Sequence, residues 1–179
     1  MATPTNLPIA SVAGDVLTAA YVNALRGAFR ILQVVTASKS DTFTTTSTTY
    51  TDVTGLSVSI TPSSATSKVF IVAGVSGTGE AAGTQFFGRL MRDATAIAIG
   101  DAASTRTQAS IFCLAQDQQS NMSVAFLDSP ATTSATTYKV QIKSQAATKT
   151  VYVNRSQTDS DAATNARTFS SITVFEVSA

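Results

Sequence analysis

The stretch from Asp41 to Val75, DTFTTTSTTYTDVTGLSVSITPSSATSKVFIVAGV, constrains the fold more than any other part of this chain. Threonine and serine fill its first half, and threonine is β-branched, which suits a pleated surface. Leu56, Val58 and Ile60 then alternate with Ser57 and Ser59, the period-two pattern of a strand with one wet face. Thr61-Pro62-Ser63-Ser64 reads as a turn. The apolar run that follows, Val69 to Val75, reads as a strand buried on both faces.

The same unit, an alternating strand closed by a Ser/Thr/Asp/Pro turn, recurs to the C-terminus. The pattern predicts strands near 31–37, 42–50, 55–60, 67–76, 84–93, 95–99, 108–115, 120–128, 135–144, 149–154 and 168–178. Met122, Val124 and Phe126 should face inward in one of them. Tyr138, Val140 and Ile142 should do so in another, with Lys139, Gln141 and Lys143 outward. The last strand is apolar on both faces, which calls for a central place in its sheet or for cover by a neighbouring subunit. Many short strands without a βαβ rhythm predict an all-β fold, an antiparallel sandwich of the jelly-roll type.

One helix is expected ahead of these strands. Residues 1–14 contain Pro4, Pro8 and Gly14 and read as an extended arm. Asp15 or Thr18 can cap a helix that runs to Gln33. Leu17, Tyr21, Ala24, Leu25, Ala28, Phe29 and Leu32 form its apolar stripe, opposite Asn23, Arg26, Arg30 and Gln33. Two readings of this amphipathic helix stand side by side: a lid on its own β domain, or the seam of a short parallel bundle through 17/21/24/28/31. The chain therefore divides into an N-terminal arm and helix, 1–33, and a β domain, 34–179.

At 179 residues the chain is long enough for one well-buried core. Charged residues make up 13%, about half the usual share, and the formal net charge is +1. Scattered cations argue against nucleic acid, which needs clustered positive charge. No apolar run approaches the ~20 residues of a membrane span. No signal peptide is recognised at the N-terminus, so synthesis in a cytoplasm is expected. Cys113 is single, which leaves no intrachain disulfide, and its neighbours Ile111, Phe112 and Leu114 suggest a core position.

Catalytic chemistry is hard to build from these residues. With no histidine, the usual Ser-His-Asp and Cys-His arrangements are absent, and so is the commonest metal ligand. The eleven acids are scattered, mostly in turns, without a pair set for glycoside hydrolysis. Asp159-Ser160-Asp161 could offer oxygens to calcium, although turn formation is the simpler role. The reading is therefore of a non-enzyme without cofactor or metal. Asn121-Met122-Ser123 and Asn154-Arg155-Ser156 match the glycosylation sequon but carry little weight without a secretory signal. Gly77 to Gly83 lacks the Lys-Ser/Thr ending of a phosphate loop and reads as a mobile turn. Arg155 to Arg167, RSQTDSDAATNAR, is the longest polar loop. Its Arg155, Gln157, Asp159, Asp161, Asn165 and Arg167 are the candidate recognition residues.

The segments ILQVVTASKSDTFTTTSTTYTDVTGLSVSITPSSATSKV, RLMRDATAIAIGD, SVAFLDSPATTSATTYKVQIKS and TVYVNRS resemble tail-fibre and virion proteins of bacteriophages. GDVLTAAYVNALRGAF is similar to N-terminal segments by which phage fibres attach to the particle. The resemblance spans most of the chain from Gly14 onward. It implies a homotrimeric β-sandwich head, compact like tumour-necrosis-factor or C1q modules, held on a virion by a short N-terminal anchor. Partners would be further copies of the chain, other virion proteins, and a host-surface glycan or protein. There is no repetitive shaft, so a short tail fibre, a head fibre and a capsid decoration protein all fit. A free-standing carbohydrate-binding module is the alternative outside a virion, with a hydrolytic tailspike behind it.

Overall fold

The computed structural model describes residues 30–115 and 119–178. The predicted helix, as far as Phe29, lies outside the described residues. Its last turn can be judged: Ile31, Leu32 and Gln33 belong to the first strand, where the apolar Ile-Leu pair continues into Val34-Val35 and pairs across the sheet.

The described residues form β1 (Ile31–Lys39), β2 (Phe43–Thr45), β3 (Thr51–Ile60), β4 (Lys68–Gly79), β5 (Gln85–Arg92), β6 (Thr95–Ile97), β7 (Ile111–Leu114), β8 (Ser120–Asp128), β9 (Thr136–Ser144), β10 (Val151–Val153) and β11 (Ser170–Val177). They build two antiparallel sheets. In the first, β11 lies between β1 and β4, β8 flanks β4 on its other side, and β10 continues the pairing at Gly77–Gly79 before handing on to β2. The second runs β3-β9-β5, with β6 and β7 sharing the outer edge of β5. Among the described residues there is no α-helix.

Alternation explains the core. Val69, Ile71, Ala73 and Val75 of β4 and Ile172 and Val174 of β11 point inward from one sheet. Val53, Leu56, Val58 and Ile60 of β3, Phe86 and Leu90 of β5, and Tyr138, Val140 and Ile142 of β9 meet them from the other. Burying each such side chain contributes about 1.5–3 kcal/mol against its exposed state. Cys113 is buried in the same cluster, as its neighbours suggested. Met122 is buried too, with Val124 and Phe126 packed on the cluster's border.

Several expected boundaries move. The 42–50 strand shrinks to Phe43–Thr45, because Ser47 turns the chain: its amide donates to Thr45 Oγ1 (3.0 Å) and its hydroxyl to the Thr49 carbonyl (2.6 Å). β3 starts early, at Thr51, and its register shifts between Asp52 and Ser57, where Gly55 takes φ +90°. The glycine run is not a turn from Gly77 onward. β4 extends to Gly79, since a Cβ at Gly79 would lie 2.4 Å from Thr84 Cβ and 3.0 Å from Ala115 Cβ. Glycine is needed here for close approach. The expectation that β4 is buried on both faces also fails: Phe70 and Val72, at 37% and 38% exposure, look outward. β11, by contrast, holds the predicted central place.

The two ends of the β unit meet. Ser178 N donates to the Arg30 carbonyl at 2.9 Å, and Arg30 N donates back to Ser178 Oγ at 3.0 Å.

Candidate functional site

Of the stripe proposed for the N-terminal helix, Leu17, Tyr21, Ala24, Leu25, Ala28 and Phe29 lie outside the described residues. Leu32 sits in β1 and is half-buried.

The predicted recognition loop closes upon itself. Arg155 and Arg167 form an antiparallel bridge at its base. Asp159 accepts from Arg167 Nη2 at 2.7 Å and stands 3.7 Å from Arg155 Nη1. Arg155 also donates to the carbonyls of Ser156 and Gln157 and stacks 4.3 Å over the Tyr152 ring. Asn165 Nδ2 reaches Ser160 O and Oγ, and Gln157 Nε2 donates to the Glu80 carbonyl. Asp161 is exposed. Thus Arg155, Asp159 and Arg167 are brought together, while Gln157 and Asn165 brace the backbone. Asp159 spends its charge on two guanidinium groups, so it is not a free calcium ligand. Among the described residues, no three His, Cys, Asp or Glu side chains gather to hold a metal ion. The loop borders an open depression of about 260 Å³.

The buried polar groups are structural joints. Asn154, in the left-handed region at φ +62°, donates to the Lys39 and Asp41 carbonyls (2.7 and 3.0 Å) and accepts from Ser170 Oγ (2.6 Å). It is fully buried, so its sequon is not available on the folded surface. Asn121, in the other sequon, is exposed on β8. Glu176, also fully buried, accepts from Gln33 Nε2, Ser63 N and Ser63 Oγ at 2.6–2.7 Å. Burial opposes its ionisation, but the hydrogen bonds outweigh it and hold the carboxyl down at about 2. Asp128 accepts from Arg92 Nη1 at 2.8 and 3.0 Å and from Tyr138 Oη at 2.7 Å. Burial, then the bond to that carboxylate, pushes the Tyr138 phenol well above its ordinary range.

The outward faces of the two sheets differ sharply. On the first, Val34, Phe175, Phe70 and Leu127 are successive Cα partners across β1, β11, β4 and β8. The next row is Thr36, Thr173, Val72 and Ala125, and the one after is Ser38, Ser171, Gly74 and Ser123. None of these side chains is charged. Val34 and Leu127 are each 54% exposed, and the Phe70 and Phe175 rings stand 6.1 Å apart.

The second sheet turns charge and aromatic rings outward together. Phe112, Phe87 and Lys143 form one cross-strand row of β7, β5 and β9. Arg89, Gln141 and Asp52 form the next, through β5, β9 and β3. The Phe87 and Phe112 rings are 5.2 Å apart, and Lys143 Nζ lies 5.3 Å from both the Phe87 and the Tyr50 centroids. The Arg89 guanidinium lies 4.1 Å over Tyr50, whose hydroxyl donates to the Gln108 carbonyl at 2.7 Å. Asp52 is held by Lys139 (2.8 Å) and Gln141 (2.6 Å). Lys139, Gln141 and Lys143 face outward as the alternation predicted.

The sequence reading did not single out Tyr50, Phe87, Arg89 or Phe112. One signal was available: Phe86 and Phe87 are adjacent in a strand, so one of them must face away from the core.

No family model matches the chain, and no curated protein matches it.

Proposed function

We propose that this protein is a self-associating virion component of a bacteriophage, a short trimeric fibre whose β domain is displayed for contact with the host surface. The observation that carries this reading is the run of three uncharged rows on the outer face of β1, β11, β4 and β8, bordered by Lys68, with Val34, Phe175, Phe70 and Leu127 as the apolar row. A strand face this apolar asks for cover, and the two rows beside it, which carry threonine and serine hydroxyls, can pair with copies of themselves. The resemblance to phage fibre proteins supplies the trimer and the virion. The strand order β1-β11-β4-β8 set against β3-β9-β5-β7 supports a jelly-roll sandwich within the all-β class.

The polarity of the β domain agrees with an anchored head. The N-terminal segment enters at Ile31, whose Cα partner is Val177 at the end of β11. The loop from Arg155 to Arg167 leads into Ser170, at the start of the same strand. Eight residues at ~3.3 Å each put entering chain and loop about 25 Å apart along β11. The anchor would hold one pole and present the other. Sedimentation of the purified chain tests this reading: trimer mass at micromolar concentration supports it, and a strict monomer sinks it. Capsid decoration is the second reading, supported by the same face. An image of the particle with this protein labelled separates the two.

A further inference from the structure

The outward face of the second sheet combines three things: aromatic rings, cations without a carboxylate partner among the described residues, and amide or hydroxyl groups between them. We propose that the surface formed by Tyr50, Phe87, Arg89, Phe112 and Lys143 is the binding site for an acidic polysaccharide. The inference deepens the displayed-head reading and rests on it for the direction in which this face points.

Charge argues for an anion. Lys143 makes a bond to Thr107 Oγ1 at 3.3 Å, and Arg89 uses Nε on Gln141 Oε1 at 2.8 Å. Neither forms an ion pair with a carboxylate among the described residues. The acid in these rows, Asp52, is already engaged by Lys139 and Gln141. The two terminal guanidinium nitrogens and the ammonium can therefore meet carboxylates arriving from outside, in short charge-assisted bonds.

Shape and apolar area argue for sugar. Phe112 is 53% exposed, and Leu114 beside it on β7 is also exposed, on the outward face of the strand. A pyranose ring offers C–H faces to such rings and hydroxyls to Gln141 and Thr107. A nucleic acid needs a longer basic track than these few cations on a chain of net charge +1.

Position agrees. β5 begins at Gln85, directly after the turn at Glu80 whose carbonyl receives Gln157 of the long loop. Phe87 and Lys143 therefore lie toward the pole away from the entering chain. If the first sheet is covered by copies of the chain, this face stays open.

Binding of the full chain to immobilised polygalacturonate, by surface plasmon resonance, tests the proposal. We expect binding at 150 mM salt that weakens at 500 mM, with none on dextran. Lys143→Gln and Phe112→Ala should each weaken it about tenfold, the worth of one charge-assisted bond or one stacked ring. Lys149→Gln, in the turn between β9 and β10, should leave it unchanged. No binding to polygalacturonate, equal binding to dextran, tighter binding to oligo-dT, unchanged affinity in either platform variant, or an equal loss in Lys149→Gln overturns it. Thermal unfolding and sedimentation mass of the variants should match the parent, since neither side chain enters the core. Absence of glycan binding in the parent chain at intact trimer mass would overturn this site alone. A monomer that still binds the glycan would overturn only the assembly.

Discussion

Phe70 and Phe175 face each other across β4 and β11 as Cα partners, their ring centroids 6.1 Å apart on the outside of the sheet. They extend a row that begins at Val34 and ends at Leu127. A carboxylate placed in this row should repel its counterpart on every neighbouring copy. Phe70→Asp or Leu127→Asp is expected to raise the dissociation constant of the assembly by about two decades or more, on the basis of several kcal/mol for like charges brought together. Sedimentation would read this as a shift to monomer, with an unchanged far-ultraviolet spectrum because neither side chain enters the core.

On the proposed reading, the N-terminal stripe acts separately from the β domain. Leu25→Asp with Phe29→Asp should abolish particle incorporation or trimer formation while leaving the β domain's unfolding transition in place. Incorporation measured on purified particles checks it, and undiminished incorporation of the double variant would refute the anchor.

Glu176 gives the protein an acid limb. Its carboxyl ionises at about 2 in the folded chain against an ordinary 4.5, so the unfolded chain takes up the extra proton as pH falls. The stabilisation is complete above about pH 4.5 and is lost as pH falls toward 2. Its size is on the order of 3 kcal/mol at 1.36 kcal/mol per unit. Urea unfolding at pH 7, 4 and 2.5 should show this fall for the parent. Glu176→Gln should be weaker at pH 7 by a similar amount, should lose less over the same range, and should converge with the parent near pH 2.

Gly79 is required for space. Gly79→Ala puts a methyl group 2.4 Å from Thr84 Cβ, and overpacking of this kind costs about 1–3 kcal/mol. The loss should appear in the urea midpoint and should shrink in a Thr84→Gly background, where the opposing carbon is gone.

Much of the β architecture was legible in the sequence because alternation reports directly on which face is dry. Tyr138, Val140 and Ile142 are buried and their odd-numbered neighbours turn outward, as period two requires. β4 was misread for a physical reason: an apolar run says that a face wants cover, and cannot say whether the same chain provides it. Glycine at 77 and 79 was ambiguous in the same way, since a missing Cβ serves a turn and a tight contact equally. The loop's acids and arginines were visible as residues, but their pairing through Asp159 depends on how the loop closes. The ring-and-cation surface was legible only in fragments, through the adjacent Phe86 and Phe87 and the outward Lys143. It exists only because the registers of β7, β5 and β9 bring Phe112, Phe87 and Lys143 into one row, and pairing register is a tertiary fact.

The reciprocal bonds between Arg30 and Ser178 have a topological consequence. The order of strands along the chain is separable from their order in space, because the two ends already lie side by side. A short glycine link from Ser178 to Arg30, with a new break at Ala162, would give a circular permutant with every strand pairing intact. Its free ends would leave from the opposite pole of β11. The same β unit could then be mounted upside down, its presentation inverted without a change to its core.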